Sequence, residues 1–181
     1  MLLFVDCCIR GELSATRRYA MAYLEKRAEE FETLCLARQA LKPLLAEDIA
    51  RRDRLLSQGK TDDAMFCLAR QFKQADEVII AAPYWDLSFP SLLKVYFENV
   101  CVCGITFGYE GEKCVGYARA KTVRYFSTCG GFTNGMHHGV QYARAICQML
   151  GINELIAYTI EGMDIDPAKR EQLLTEAIQR L

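Results

Sequence analysis

The chain has 181 residues, a length that corresponds to one domain. With 51% hydrophobic and 25% charged residues, its composition is that of a globular core beneath a mixed surface, which excludes a disordered or fibrous protein. A net charge of −1 produces no field that would attract nucleic acid or anionic lipid, so neither is an expected partner. We therefore expect a single domain over residues 1–181.

Cysteine usage and the start of the chain predict where the protein resides. The nine cysteines are odd in number, and no basic segment precedes the short apolar run at residues 1–5. No apolar stretch approaches the roughly 18 residues that a membrane-spanning helix needs. We expect an unexported, cytoplasmic protein with reduced thiols and no membrane association.

Short apolar runs that end at polar or turn residues predict the strands of a parallel sheet. In chain order these runs lie at residues 2–5, 33–36, 78–82, 122–127 and 155–160. Amphipathic segments predict helices at residues 16–30, 44–74 with a break at Gly59, 91–100, 139–150 and 167–181. Strands that alternate with helices favour right-handed parallel crossovers. The predicted fold class is α/β, a doubly wound five-stranded parallel sheet with helices on both faces.

One segment does not follow this alternation. Residues 103–120 mix aromatic and β-branched residues with glycines, a pattern that predicts a short hairpin protruding from the sheet. Such a hairpin would serve assembly.

Three loops are predicted at the ligand-binding edge of the sheet, beyond the carboxyl ends of the strands. They lie at residues 7–16, 83–90 and 128–135. The first brings Ser14 and Thr16 to a helix start, where free N–H groups and hydroxyls suit a phosphate monoester; the alternative is that these residues only cap the helix. Neither a dinucleotide nor a nucleoside-triphosphate glycine motif is present, so those binding modes are not expected.

The second loop supplies flat aromatic side chains, and the third supplies glycines. Tyr84 and Trp85 suit a planar ligand, although the same rings would also fill the rim of the core. Gly130 and Gly131 allow close backbone approach to a ligand. Together the loops supply a phosphate site, an aromatic wall and a glycine edge, the combination that a flavin mononucleotide requires.

These motifs, in this order, resemble the flavodoxin-like FMN-dependent NADH:quinone and azo-compound reductases. The segments that carry the resemblance read DCCIRGELSATR, AAPYWDLSFPSLLKVYFENV, ITFGYEG and STCGGF. The resemblance extends in register over most of the chain, and the second segment is its most specific part.

The resemblance implies the cofactor, the co-substrate and the residues that bind them. FMN would be the cofactor, NADH or NADPH the co-substrate, and a small flat molecule such as a quinone or azo compound the acceptor. Ser14, Ala15 and Thr16 would hold the phosphate. The ring would contact Pro83, Tyr84, Trp85, Asp86, Leu87, Thr128, Cys129, Gly130 and Gly131. Members of this family are usually homodimers, so Phe107 and Tyr109 would border the substrate pocket, Tyr109 from the neighbouring subunit.

Some residues depart from the family pattern or leave alternatives open. Asp86 occupies a position that is usually Asn. Cys129, beside free N–H groups, is hypothesised to have a lowered pKa. His137 and His138 are interpreted as residues that open a helix, with proton donation to the product as the alternative.

The remaining expectations concern metal sites and catalysis. The cysteine spacing does not fit a metal or iron–sulfur site. Because the flavin would carry the chemistry, no catalytic side chain is assigned. A non-catalytic, FMN-binding electron carrier or interaction module is the alternative function, but carriers of this kind are strongly acidic and this chain is nearly neutral.

Overall fold

Five parallel strands form the centre of the molecule, as described by a computed structural model of residues 1–181. The strands are β1 (Leu2–Asp6), β2 (Phe31–Cys35), β3 (Glu77–Ala81), β6 (Thr122–Thr128) and β7 (Glu154–Ile160), and their order in the sheet is β2-β1-β3-β6-β7. A separate antiparallel hairpin consists of β4 (Phe107–Glu110) and β5 (Lys113–Gly116). The predicted five-stranded parallel sheet and the predicted hairpin are both confirmed.

Six helices connect the strands. They are α1 (Ala15–Arg27), α2 (Ala46–Ser57), α3 (Cys67–Gln74), α4 (Ser91–Val100), α5 (His138–Met149) and α6 (Arg170–Gln179). None of them is long and apolar enough to cross a membrane.

Side-chain alternation along the strands gives the sheet two covered faces. On β1, Leu3 and Val5 pack with side chains of α3, α4 and α5, whereas Leu2 and Phe4 pack with α1 and α6. Both sets are buried, which explains why the strand reads as a continuous apolar run. The doubly wound α/β fold predicted from the sequence is confirmed.

The break predicted at Gly59 within the helical segment at residues 44–74 is confirmed, and it extends over residues 58–63. Helix α2 ends at Ser57, and Gly59 follows with a left-handed φ of 69° that ends the helical path. Helical structure resumes after Asp63, whose carboxylate accepts a hydrogen bond of 2.9 Å from the Met65 N–H.

Two further boundaries differ from the prediction. Helix α1 stops at Arg27 because Ala28 adopts a left-handed conformation, with a φ of 52°. Strand β2 ends at Cys35, one residue early, because residues 36–38 form a 3-10 turn.

The hairpin is attached to the domain by a close backbone contact. A Cβ atom at Gly116, on β5, would lie 1.9 Å from the backbone of Leu150 and Gly151, at the turn between α5 and β7. Only glycine permits this approach.

Gly116→Ala therefore should force the hairpin away from the domain. We expect the free energy of unfolding, measured by urea denaturation, to fall by about 1–3 kcal/mol, the usual cost of overpacking. Gly131→Ala is the matched control, since a Cβ atom there meets nothing within 4 Å. Equal destabilisation by the two substitutions would contradict this account.

Candidate functional site

A cleft of about 260 Å³ lies at the carboxyl edge of the sheet. Strand order reverses beside β1, because β2 and β3 lie on its opposite sides, and such reversals open a crevice. Nine of the twelve predicted cofactor residues line the cleft. They are Ser14, Ala15, Thr16, Pro83, Tyr84, Trp85, Thr128, Cys129 and Gly130.

Eight lining residues were not predicted. They are Ile9, Arg10, Leu13, Arg18, Met163, Asp164, Arg170 and Glu171. The last four follow β7, which is adjacent to β6 and ends at the same edge of the sheet. The rule that identified the other loops applies here too, but the segment at residues 161–166 has no hydroxyl or aromatic residue that would have signalled a ligand.

Five predicted residues lie outside the lining. Asp86 and Leu87 form the tip of the turn that follows Trp85, and Gly131 follows the lining residue Gly130. Phe107 and Tyr109 lie on the hairpin, where Tyr109 is 65% exposed. Within one chain, the hairpin residues do not line the cleft.

The first loop places the start of α1 at the cleft. Ser14 is the N-cap of this helix, and its hydroxyl accepts a 3.4 Å hydrogen bond from the Arg17 N–H. The Thr16 hydroxyl is buried and hydrogen-bonded to that of Thr128 at 2.7 Å, so it joins the first loop to the end of β6. First-turn N–H groups have no partner within a helix and remain able to bind an anion.

The second loop contains a two-residue turn with unusual backbone geometry. Trp85 and Ser88 exchange two main-chain hydrogen bonds of 3.2 and 2.7 Å, and both residues between them are left-handed, with φ of 49° for Asp86 and 65° for Leu87. This geometry favours Gly at the second position, so a leucine there stores strain. A hydrogen bond of 3.0 Å from the His138 N–H to the Leu87 carbonyl holds the turn against α5.

The two aromatic rings of this loop are not core residues. Trp85 is 39% exposed and lines the cleft. Tyr84 is half-buried, and its hydroxyl donates a 3.1 Å hydrogen bond to the Met136 carbonyl. The alternative that both rings fill the core rim is therefore wrong.

The third loop is held by the segment that follows β7. Met163 and Asp164 donate main-chain hydrogen bonds to the carbonyls of Cys129 and Gly130, at 3.0 and 2.8 Å. A Cβ atom at Gly130 would meet the carboxylate of Asp164, an exposed side chain that would have to turn away from it. The N–H groups of Gly130 and Gly131 have no acceptor within the chain and remain available to a ligand.

Five charged side chains line the cleft. Arg18 donates two hydrogen bonds of 2.8 Å to Glu171, which raise the pKa of Arg18 and lower that of Glu171. Arg170 is paired with Asp164. With Arg10, which also lines the cleft, cationic side chains exceed carboxylates by one. The cleft therefore favours an anion.

The two histidines take structural positions at the start of α5. His137 is the N-cap, and its Nδ1 accepts a 3.3 Å hydrogen bond from the Val140 N–H. Its ring packs edge-on against Tyr84, with centroids 4.9 Å apart, and burial lowers its pKa. The exposed His138 contacts Gln141 at 3.0 Å. The interpretation that these residues open a helix is confirmed.

The hypothesis of a lowered pKa at Cys129 is wrong. Burial of the thiol, reinforced by the negative charge of Glu161, raises its pKa to about 12. The free N–H groups nearby belong to the following glycines and do not stabilise this thiolate. No group of three or more His, Cys, Asp or Glu side chains is arranged to hold a metal ion.

Comparison with known proteins identifies the family. A sequence-family model of the flavodoxin-like fold matches residues 1–181. The chain belongs to this family.

Relatives and solved structures of similar proteins agree with this assignment. An FMN-dependent NADH:quinone oxidoreductase of Clostridium perfringens is 34% identical over 99% of this chain and 94% of its own length. FMN-dependent NADH:quinone oxidoreductase 2 of Clostridium acetobutylicum is 35% identical over 86% of this chain and 80% of its own. The crystal structure of an azoreductase from Bacillus anthracis has the same fold, with a TM-score of 0.85 and 22% identity over 99% of this chain and 95% of that one.

Cys129 should be chemically inert in the folded protein. At pH 8 a thiol with a pKa of about 12 is thiolate in only about one molecule in ten thousand, and the thiolate is the reactive form. We expect iodoacetamide to modify the exposed Cys67 and Cys103 well before Cys129, as measured by peptide mass spectrometry. Labelling in guanidinium chloride is the control, because unfolding removes the difference. Equal rates in the folded protein would contradict the burial argument.

Proposed function

We propose that this protein is an FMN-dependent NADH:quinone oxidoreductase, with quinones, azo compounds or similar flat molecules as acceptors and NADH or NADPH as the reductant. The observation that carries the proposal is the cleft, in which a helix start, a half-exposed indole and free backbone donors lie together. Relatives that cover nearly the whole chain are named for this activity.

The start of α1 and the charged side chains of the cleft fit the phosphate of FMN. Ser14, Ala15 and Thr16 form the first turn and cap of α1, whose positive dipole end and N–H groups bind anions. The excess of one cationic side chain in the cleft lining supports the same assignment. The Ser14 hydroxyl would donate to a phosphate oxygen while still accepting from the Arg17 N–H.

The remainder of the cleft fits the flavin ring. Pro83, Tyr84 and Trp85 form one wall, and the exposed part of Trp85 supplies a flat apolar surface. The unpaired N–H groups of Gly130 and Gly131 would donate to the polar edge of the ring. Asp86, Leu87, Thr128 and Cys129 complete the proposed contacts at its periphery.

When bound, FMN supplies the hydride transfer between the nicotinamide and the acceptor. The chain's own residues would bind and orient the ring, and donate hydrogen bonds that stabilise negative charge at its polar edge. No side-chain acid or base is assigned. His137 caps α5 through Nδ1 and does not line the cleft.

We further propose that the protein is a homodimer whose partner completes the substrate pocket. Exposed apolar residues are concentrated on the loops around the cleft, and such surfaces mark interfaces. They are Ile9, Leu13, Trp85, Leu87, Phe132, Met136 and Ile165. In that assembly, the hairpin would bring Phe107 and Tyr109 of one subunit to the cleft of the other.

Two properties of the whole chain complete the proposal. Residues 1–181 would act as one flavodoxin-like domain, a suggestion supported by the family match over the same range. A cytoplasmic location is supported by nine free cysteines, since thiols remain reduced in that compartment.

The proposed activity is tested with purified protein mixed with FMN. We expect a flavin absorbance band to remain with the protein after desalting, to bleach on anaerobic addition of NADH, and to return when menadione is added. A colourless protein would overturn the cofactor assignment. A yellow protein that no nicotinamide bleaches would support the electron carrier instead.

Ser14→Ala tests the phosphate site. Removal of one hydrogen bond to a charged group costs about 1.5–3 kcal/mol, so we expect the Kd for FMN to rise roughly tenfold to a hundredfold in a fluorescence titration. Ser57→Ala, at the distant end of α2, is the matched control. An unchanged Kd for Ser14→Ala would place the phosphate elsewhere.

Phe132→Glu tests the dimer. Phe132 is 64% exposed on the cleft loops, and a charge there should oppose burial against a second subunit. We expect sedimentation to show a dimer for the natural sequence and a monomer for the variant. Leu45→Glu, at a residue 59% exposed before α2, is the control and should remain dimeric. A monomeric natural protein at micromolar concentration would refute the proposal.

A further inference from the structure

A buried carboxylate lies behind the first loop of the cleft. Asp6 is the last residue of β1 and is only 3% exposed. One carboxylate oxygen accepts a 2.9 Å hydrogen bond from the Cys8 N–H, at the start of the loop. A buried negative charge is costly unless it is paired, so its partner determines what it does to neighbouring groups.

That partner is Arg17, from the first turn of α1. Its Nε donates a 2.9 Å hydrogen bond to the other oxygen of Asp6, and its Nη1 donates one of 2.6 Å to Glu12. The side chain of Arg17 is 19% exposed, whereas that of Glu12 is 82% exposed and screened by water. The Asp6–Arg17 ion pair therefore connects the end of β1 to the first turn of α1, on either side of the loop at residues 7–16.

Arg17 itself connects this ion pair to the proposed phosphate site. Its side chain pairs with Asp6, and its main-chain N–H donates to the Ser14 hydroxyl at 3.4 Å. Ser14 lines the cleft. Because Asp6 and Ser14 both contact Arg17, an uncompensated charge on Asp6 would lie close enough to act on an anion bound at Ser14.

We infer that Arg17 is a positioning residue for the cofactor phosphate, which neutralises Asp6 and thereby prevents a buried carboxylate from repelling the phosphate at the start of α1. This inference rests on the proposed function. Arg17 does not line the cleft, and it acts through Asp6 and Ser14. Asp6 in turn fixes the loop through the Cys8 N–H.

The effect should depend on the charge of the phosphate, which riboflavin lacks. In Arg17→Gln, we expect the Kd for FMN at pH 8 to rise about tenfold, corresponding to roughly 1.4 kcal/mol of repulsion, while the Kd for riboflavin changes little. Adding Asp6→Asn to this variant removes the unpaired charge and keeps an acceptor for the Cys8 N–H. The double variant should regain FMN affinity to within about threefold of the natural protein.

Asp6→Asn alone provides a test that does not depend on Arg17→Gln folding. It removes the buried negative charge and leaves Arg17 paired only with the exposed Glu12, so FMN should bind several-fold more tightly while riboflavin does not. Arg119→Gln is the matched control, because it breaks an ion pair with Asp76 at the opposite edge of the sheet. Thermal melting of each apoprotein separates folding from binding.

The outcomes distinguish this inference from the proposed function. If the natural protein binds no FMN, the proposed function fails. If it binds FMN but Arg17→Gln binds both flavins as before, only the role of Arg17 is overturned. Equal losses for FMN and riboflavin, or no recovery in the double variant, would show that the pair only maintains loop structure and would also overturn it.

Discussion

Main-chain hydrogen bonds between parallel strands determine the position of every loop at the cleft. The ladder does not stop where the strands end: Cys7 donates to the Ala81 carbonyl, Tyr84 to that of Thr128, and Cys129 to that of Ile160, at 2.9, 3.1 and 2.8 Å. Each loop therefore leaves the sheet from a fixed point. Because parallel strands all end at one edge, residues far apart in the chain come within reach of one small ligand.

Charge balance is the second constraint on this edge. Arginines in the cleft lining favour an anion, but several arginines of this region are paired with carboxylates. Glu171 pairs with Arg18, Asp164 with Arg170, and the buried Asp6 with Arg17. Each carboxylate has a cationic partner, and a buried, unpaired one would oppose the phosphate. In the proposed site, phosphate binding would thus depend on ion pairs whose members do not all touch the ligand.

The sequence predicted the parts of the fold in which local pattern and burial agree. Helix α4 matched its prediction at both ends, Ser91 and Val100, because its apolar positions follow the helical period and Pro90 precedes it. The segment at residues 44–74 has the predicted break at Gly59, but the sequence pattern did not show that the break extends over residues 58–63. The left-handed glycine ends one helical segment, and the cap at Asp63 begins the next.

By itself, the sequence determined the α/β class, the five strands and the three loops that carry hydroxyl, aromatic and glycine residues, because periodicity and turn chemistry are local properties. Only the tertiary structure decided which neighbours those residues have. Asp164 beside Gly130, the Thr16–Thr128 hydroxyl contact and the burial that raises the pKa of Cys129 join segments distant in the chain. Pairing of that kind depends on the strand order and register, which no local pattern encodes.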